Sequence, residues 1–146
     1  MTTPAKILTR AEVNGKPVTF FSPPHSAPDF PWVDVEELAA AFLEADAAKR
    51  MTQHAHNFDR DNRPVTTAQN GDRIATIVPH ALAQGLCGAV DEWSGFVSTD
   101  DEDGPAFVAY CRTAGKVAAD HWPLSIEQLI YAFNNPGGPF LKDGAQ

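Results

Sequence analysis

Residues 6–21 read KILTRAEVNGKPVTFF, and the Asn14-Gly15 pair at their centre decides how the flanks are read. A two-residue hairpin of type I′ needs positive φ at both central positions, which Asn and Gly adopt at the least steric cost. The pair therefore predicts a hairpin with strands over residues 6–13 and 16–21. A second pair, Asn70-Gly71, stands between residues 64–68 and 73–78 and predicts another hairpin. A third is expected from residues 95–98 and 105–111. There Val108 and Tyr110 alternate with Ala109 and Cys111, across the turn-rich stretch TDDEDG at 99–104.

Helix signals lie between and after these hairpins. Residues 22–31 carry Pro23, Pro24, Pro28 and Pro31, so they are an extended loop. Asp34 followed by Glu37 is a capping-box pattern, with Val33 and Leu38 at the positions of a hydrophobic staple. Leu38, Ala39, Phe42 and Leu43 continue it as an apolar stripe. This predicts a helix over residues 35–49, continuing or restarting through 51–58. Pro79 precedes a second helix, His80–Trp93, with Leu82, Leu86, Val90 and Trp93 on one face. Ala81, Gly85 and Gly88 leave a shallow groove on it where another backbone is expected to pack, because mid-helix glycines are costly. Ser125 and Gln128 form another capping box, with Leu124 and Leu129 as staple. They start a helix over Ile126–Asn134 that PGGP at 136–139 stops. Hairpins with separate helices mean an α+β fold. The expectation is an antiparallel sheet built from hairpins with two to four packed helices. One domain spans residues 1–139, and residues 140–146 are a flexible tail.

Composition narrows the function. The 146 residues include 11 Lys and Arg against 19 Asp and Glu, a net charge of −8. No apolar run approaches the roughly 20 residues of a membrane helix, so no membrane association is expected. The opening MTTPAK has no apolar stretch behind a basic one, which speaks against a secretory signal. Cys87 and Cys111 are too few for a disulfide scaffold. A cytoplasmic protein with reduced thiols is the expectation.

The charge is unevenly placed. Between Ile74 and Cys111 stand Asp91, Glu92, Asp100, Asp101, Glu102 and Asp103, with no Lys or Arg. These six are the candidate contacts for a protein partner with a basic surface, since complementary charge speeds association. The same field repels phosphate at long range. The candidate nucleic-acid contacts are the weakly basic run of Lys49, Arg50, His54, Arg60 and Arg63.

Catalytic patterns are weak. His54 and His56, with Asp59 and Asp61 nearby, have metal-ligand types. On a helix, however, residues two apart diverge by about 200° and cannot share one ion. QGLCG at 84–88 resembles the start of the papain nucleophile motif, but that family's nucleophile position falls on Val90 here. Cys87 reads as a small buried hydrophobe. Aligning Gly104 with the EF-hand glycine leaves Thr99 and Tyr110 at positions that need acidic ligands. Gly115-Lys116 lacks the earlier glycine of a phosphate loop. The reading assigns no catalytic residue, no metal site and no cofactor.

Asn14-Gly-Lys-Pro-Val18, then WVDVEELAAAF at 32–42 and Arg50-Met51, resemble the opening of phage antirepressor and BRO-type N-terminal domains. RIATIVPH at 73–80 is loosely similar to their later strand and helix. The likeness spans residues 6–93, and it implies a hairpin-and-helix domain that binds DNA or regulates repressors on mobile elements. The leading expectation is a small acidic non-enzymatic protein that binds a protein partner, as a phage- or plasmid-type accessory, regulator or inhibitor. The alternatives are a DNA-binding regulator of antirepressor type and a metal-dependent hydrolase using His54 and His56.

Overall fold

The structure, a computed structural model, describes residues 3–56, 65–97, 102–121 and 123–135. The chain runs β1 (Ile7–Val13), β2 (Lys16–Phe21), β3 (Trp32–Asp34), α1 (Val35–Phe42) and α2 (Ala45–His56). It continues through β4 (Thr66–Asn70), β5 (Arg73–Val78), α3 (His80–Trp93), α4 (Pro105–His121) and α5 (Ile126–Asn134). The strands form one antiparallel sheet in the order β1-β2-β3-β5-β4. The fold is α+β, with five helices among the described residues rather than two to four.

Two turn geometries make the two hairpins. Asn14 and Gly15 both have positive φ, as a type I′ turn requires, and Val13 pairs with Lys16 across them. The second hairpin turns one residue later than the Asn-Gly pair suggests. Asn70 pairs with Arg73, so the loop is Gly71-Asp72, and only Gly71 has positive φ. That is the pattern of a type II′ turn, with glycine first. Asn70 is thereby freed to be a strand residue with a buried side chain. The three-residue β3, unforeseen after the proline loop, joins the hairpins. Phe20 pairs with Val33, and Val33 pairs with Val78.

Successive strand residues point to opposite faces, and here the two faces build separate cores. Val18, Phe20, Val33 and Val78 pack with Leu38, Met51, Leu86, Tyr110 and Val117 under the helices. Their neighbours Phe21, Trp32 and Ile77 form a smaller cluster with Ala68 on the other face. A polar network crosses that second face. Asp34 Oδ2 accepts from Asn70 Nδ2 at 2.9 Å and from Arg73 Nη2 at 2.5 Å. Asn70 also donates to Thr19 Oγ1 and accepts from Arg10.

The first helix is capped as expected but ends early. Asp34 Oδ1 accepts from Glu36 and Glu37 backbone N–H groups at 3.0 and 3.1 Å. Glu37 does not complete the box. Its Oε1 instead accepts from the Thr19 backbone in β2, tying helix to sheet. The chain extends at Leu43 and restarts as α2, whose first N–H groups at Asp46 and Ala47 are taken by Glu44. Ser125 and Gln128 do form the complete reciprocal box at α5.

The third hairpin is not formed, because residues 105–121 are helix α4. Ala106, Tyr110, Ala114 and Val117 recur at helical spacing and are buried along one face. Its N-terminus is held from a distance. Asp91 in α3 accepts from the backbone N–H of Ala106 at 2.8 Å and of Phe107 at 3.0 Å. The backbone expected to pack at Gly85 and Gly88 is not found among the described residues: a Cβ at either would meet nothing within 4 Å. No helix among the described residues is long and apolar enough to cross a membrane.

Candidate functional site

The expected acidic patch is broken by the fold. Asp91 is buried as the cap of α4, so it is not a partner-binding side chain. Glu92, Glu102 and Asp103 are exposed, while Asp100 and Asp101 lie outside the described residues. Of the basic set, Lys49, Arg50 and His54 lie exposed on α2, and Arg60 and Arg63 lie outside the described residues. Asp59 and Asp61 lie there too. His54 and His56 fall in the last turn of α2. Among the described residues no three His, Cys, Asp or Glu side chains gather closely enough to hold a metal ion.

The side chains that do converge were not singled out by their spacing. The proline loop folds so that Asp29 is buried beneath it. Asp29 Oδ2 accepts from Trp32 Nε1 and meets His25 Nε2, each at 2.9 Å. Its Oδ1 accepts from the Phe30 backbone at 2.8 Å. This clamp fixes the loop against β3 and presents Phe30 towards α3. The Phe30 ring lies 4.8 Å from the His80 ring and 5.4 Å from Phe133 of α5.

Behind Phe30, a groove of about 510 Å³ runs between the loop, α3, α4 and the start of α5. Its walls include Phe30, Ala114, Ala118, Leu124 and Leu129, and its polar side chains are His80, Gln84 and Cys111. That volume lies within the ~300–1,000 Å³ of small-molecule sites, which are likewise mostly apolar with a few placed polar groups. Leu124 and Leu129, read as a helix staple, thus also line a surface.

The polar groups have defined hydrogen-bond roles. His80 Nδ1 lies 2.8 Å from the Tyr110 hydroxyl, and Tyr110 is fully buried. No other partner of that hydroxyl is present among the described residues. If Nδ1 carried the proton, the Tyr110 O–H would be left buried without an acceptor, at a cost of about 1–3 kcal/mol. Tyr110 is therefore the donor, and His80, a residue of the groove wall, holds its proton on Nε2. Burial pulls the imidazole down to about 4, opposed only in part by the charge of Asp29, so His80 is neutral at pH 7. Burial also raises the Tyr110 phenol. Gln84 Nε2 donates to Cys111 Sγ at 3.5 Å, which leaves Gln84 Oε1 as an acceptor.

Neither thiol is set up as a nucleophile. Burial, reinforced by Cys111 and Asp91, pushes the Cys87 thiol up to about 12. Burial raises Cys111 as well. A reactive thiolate needs the opposite, an electropositive setting.

The outer side of α5 is a second feature. Ile126, Ile130 and Phe133 recur at i, i+4 and i+7 and are 77%, 56% and 71% exposed. Scattered exposed apolar residues are ordinary, but three along one helix face form a continuous stripe. No protein-family model, no curated protein and no solved structure matches this chain.

Proposed function

We propose that this chain is a non-enzymatic protein that acts by binding another protein, as a regulator or accessory factor. The observation that carries this reading is the exposed Ile126–Ile130–Phe133 stripe on α5. Burying three such side chains releases roughly 1.5–3 kcal/mol each, enough to anchor an interface of modest size. The overall charge of −8, with Glu92, Glu102 and Asp103 exposed, favours a partner whose apolar groove is rimmed by basic residues. The phage antirepressor likeness of residues 6–93 is in keeping with a regulator on a mobile element. The repulsion of phosphate by the net charge speaks for a protein over DNA.

The test compares the parent with an Ile130→Gln/Phe133→Gln variant in host extract and on duplex DNA. Both side chains are mostly exposed and Phe133 gives up only its edge contact with Phe30, so melting temperature should fall by a few degrees at most. The reading expects a protein that co-purifies with the parent at moderate salt, binds it again when both are pure, and is lost with the variant. Binding to duplex DNA with a steep salt dependence, or a purified partner that the variant retains, overturns it.

A further inference from the structure

The groove behind Phe30 carries an inference of its own, independent of the α5 stripe. Leu129 lines the groove from the inner side of α5, whereas Ile126 and Ile130 face solvent and Phe133, mostly exposed, touches the groove only through its edge contact with Phe30. Among the described residues, the groove has no Asp, Glu, Lys or Arg in its walls. A charged ligand would lose its hydration there without a counter-charge, which excludes carboxylates, phosphates and ammonium groups as the buried part. The rings of Phe30 and His80 touch at 4.8 Å and, with Ala114 and Ala118 of α4, give the groove an aromatic and methyl lining suited to a ring. Two of its polar side chains keep opposite hydrogen-bond roles in reserve: with Nδ1 taken by Tyr110 the proton of His80 is on Nε2, and with Nε2 of Gln84 on Cys111 its Oε1 remains an acceptor.

We propose that this groove is a binding site for a small, uncharged, flat organic molecule that accepts a hydrogen bond from His80 Nε2 and donates one to Gln84 Oε1. An amide or lactam beside an aromatic ring has that pattern. Such a ligand replaces the water on both polar groups and covers the apolar wall between them, so its affinity combines area with direction. A molecule lacking the acceptor leaves the His80 N–H desolvated without a partner, which costs about tenfold or more in affinity.

Gly115 supplies a clean control. It lines the groove, and a Cβ built there meets nothing within 4 Å, so a larger side chain fits the helix and fills the cavity. The experiment titrates the full chain with acetanilide, n-propylbenzene and benzoate, following backbone amide resonances. The proposal expects saturable shifts at Ala114, Gly115, Ala118 and Leu129 with acetanilide. It expects binding about tenfold weaker for each of the other two probes, and loss of acetanilide binding in Gly115→Leu. His80→Phe should weaken acetanilide about tenfold and leave n-propylbenzene little changed. Should His80→Phe unfold, the probe series with Gly115→Leu decides alone. Equal affinity for acetanilide and n-propylbenzene, shifts that survive Gly115→Leu, or no saturable shift at the groove overturns the proposal. So do nuclear Overhauser contacts between Leu129 and side chains of residues 136–146, which would make the chain itself the occupant.

Discussion

Asp91 Oδ1 lies 2.8 Å from the backbone nitrogen of Ala106, so the last turn of α3 supplies the cap for the first turn of α4. A carboxylate is misplaced at the C-terminal end of its own helix but favoured at the N-terminus of another. Gly104 is the residue that lets it in. A Cβ there would overlap the Asp91 carboxylate. Asp91→Ala should destabilise the fold by about 2–3 kcal/mol, and Asp91→Asn by less, because an amide oxygen still accepts. Gly104→Ala should cost about 1–3 kcal/mol by overpacking. In a double-mutant cycle by urea denaturation, Gly104→Ala should cost about 1 kcal/mol less on the Asp91→Ala background. Additive costs would show that the two residues do not share one space.

Asp34 and Ser125 are both helix caps, yet they should not be equal. Asp34 is fully buried and accepts from Glu36, Glu37, Asn70 and Arg73. Asp34→Ala removes the cap and strands Asn70 and Arg73, for about 3 kcal/mol. Arg73 is half-exposed and recovers part of its loss from water. Ser125 is exposed at the start of a peripheral helix, and Ser125→Ala should cost about 0.5–1 kcal/mol. Denaturation midpoints with unchanged slopes measure both, and equal costs would remove the buried network from the account.

The hairpins were legible because a type I′ or II′ turn leaves few residue choices, and the chain writes them as Asn14-Gly15 and Gly71-Asp72. The box at Ser125 was legible because both of its partners lie within four residues. Helix α4 was not. Over residues 105–111 its pattern has period two as well as period four, and only Ala114 and Val117 separate the readings. Its cap, Asp91, lies 15 residues before Ala106 in sequence, so the only local start signal is Pro105 in its first turn, which fits the edge of a strand as well. The groove was hidden for the same reason. His80 meets Tyr110 only if residue 110 stands on a helix, and Asp29 places Phe30 only once the proline loop has folded over Trp32. The acidic block was read as one surface, although Asp91 belongs to the interior.

Gly85 and Gly88 have open space around them, so they represent unused stability. Replacing either with Ala should raise stability by about 0.5–1 kcal/mol through helix propensity alone. The gain reads as a few degrees of melting temperature in a domain of this size. A loss on Gly85→Ala or Gly88→Ala would mean that another backbone does approach there.

The two thiols should react in order. Cys87 is fully buried and its thiol is pushed up to about 12, whereas Cys111 is half-buried on the groove wall. Iodoacetamide at pH 8 should modify Cys111 first and Cys87 only at the rate of opening or unfolding. Intact-mass and peptide mapping follow both. Rapid modification of Cys87 in the folded protein would contradict its burial.

His80 gives the fold a pH dependence of definite sign. Its folded-state value is pulled down to about 4 by burial, from 6.5 for an ordinary imidazole. Between those values the unfolded chain binds a proton that the folded chain does not. Stability from this group is therefore intact above about pH 6.5, falls as the pH falls, and levels off below about 4. The full span is on the order of 3 kcal/mol. Protonation would also put a hydrogen on Nδ1, the ring nitrogen that accepts from Tyr110, so the packed state resists it twice. His80→Phe keeps a ring beside Phe30 but cannot titrate. At pH 7 the variant should be less stable by about 1–3 kcal/mol, because Tyr110 loses its acceptor. On acidification towards pH 4 the parent should lose that advantage, and the two curves should converge or cross. Carboxylates that do not act on His80 drop out of the difference; the charge of Asp29, which does, is part of the effect being read. Stability curves that stay parallel from pH 7 to pH 4 would show that His80 is not held neutral, and with it would go the assignment of Nε2–H as the donor in the groove.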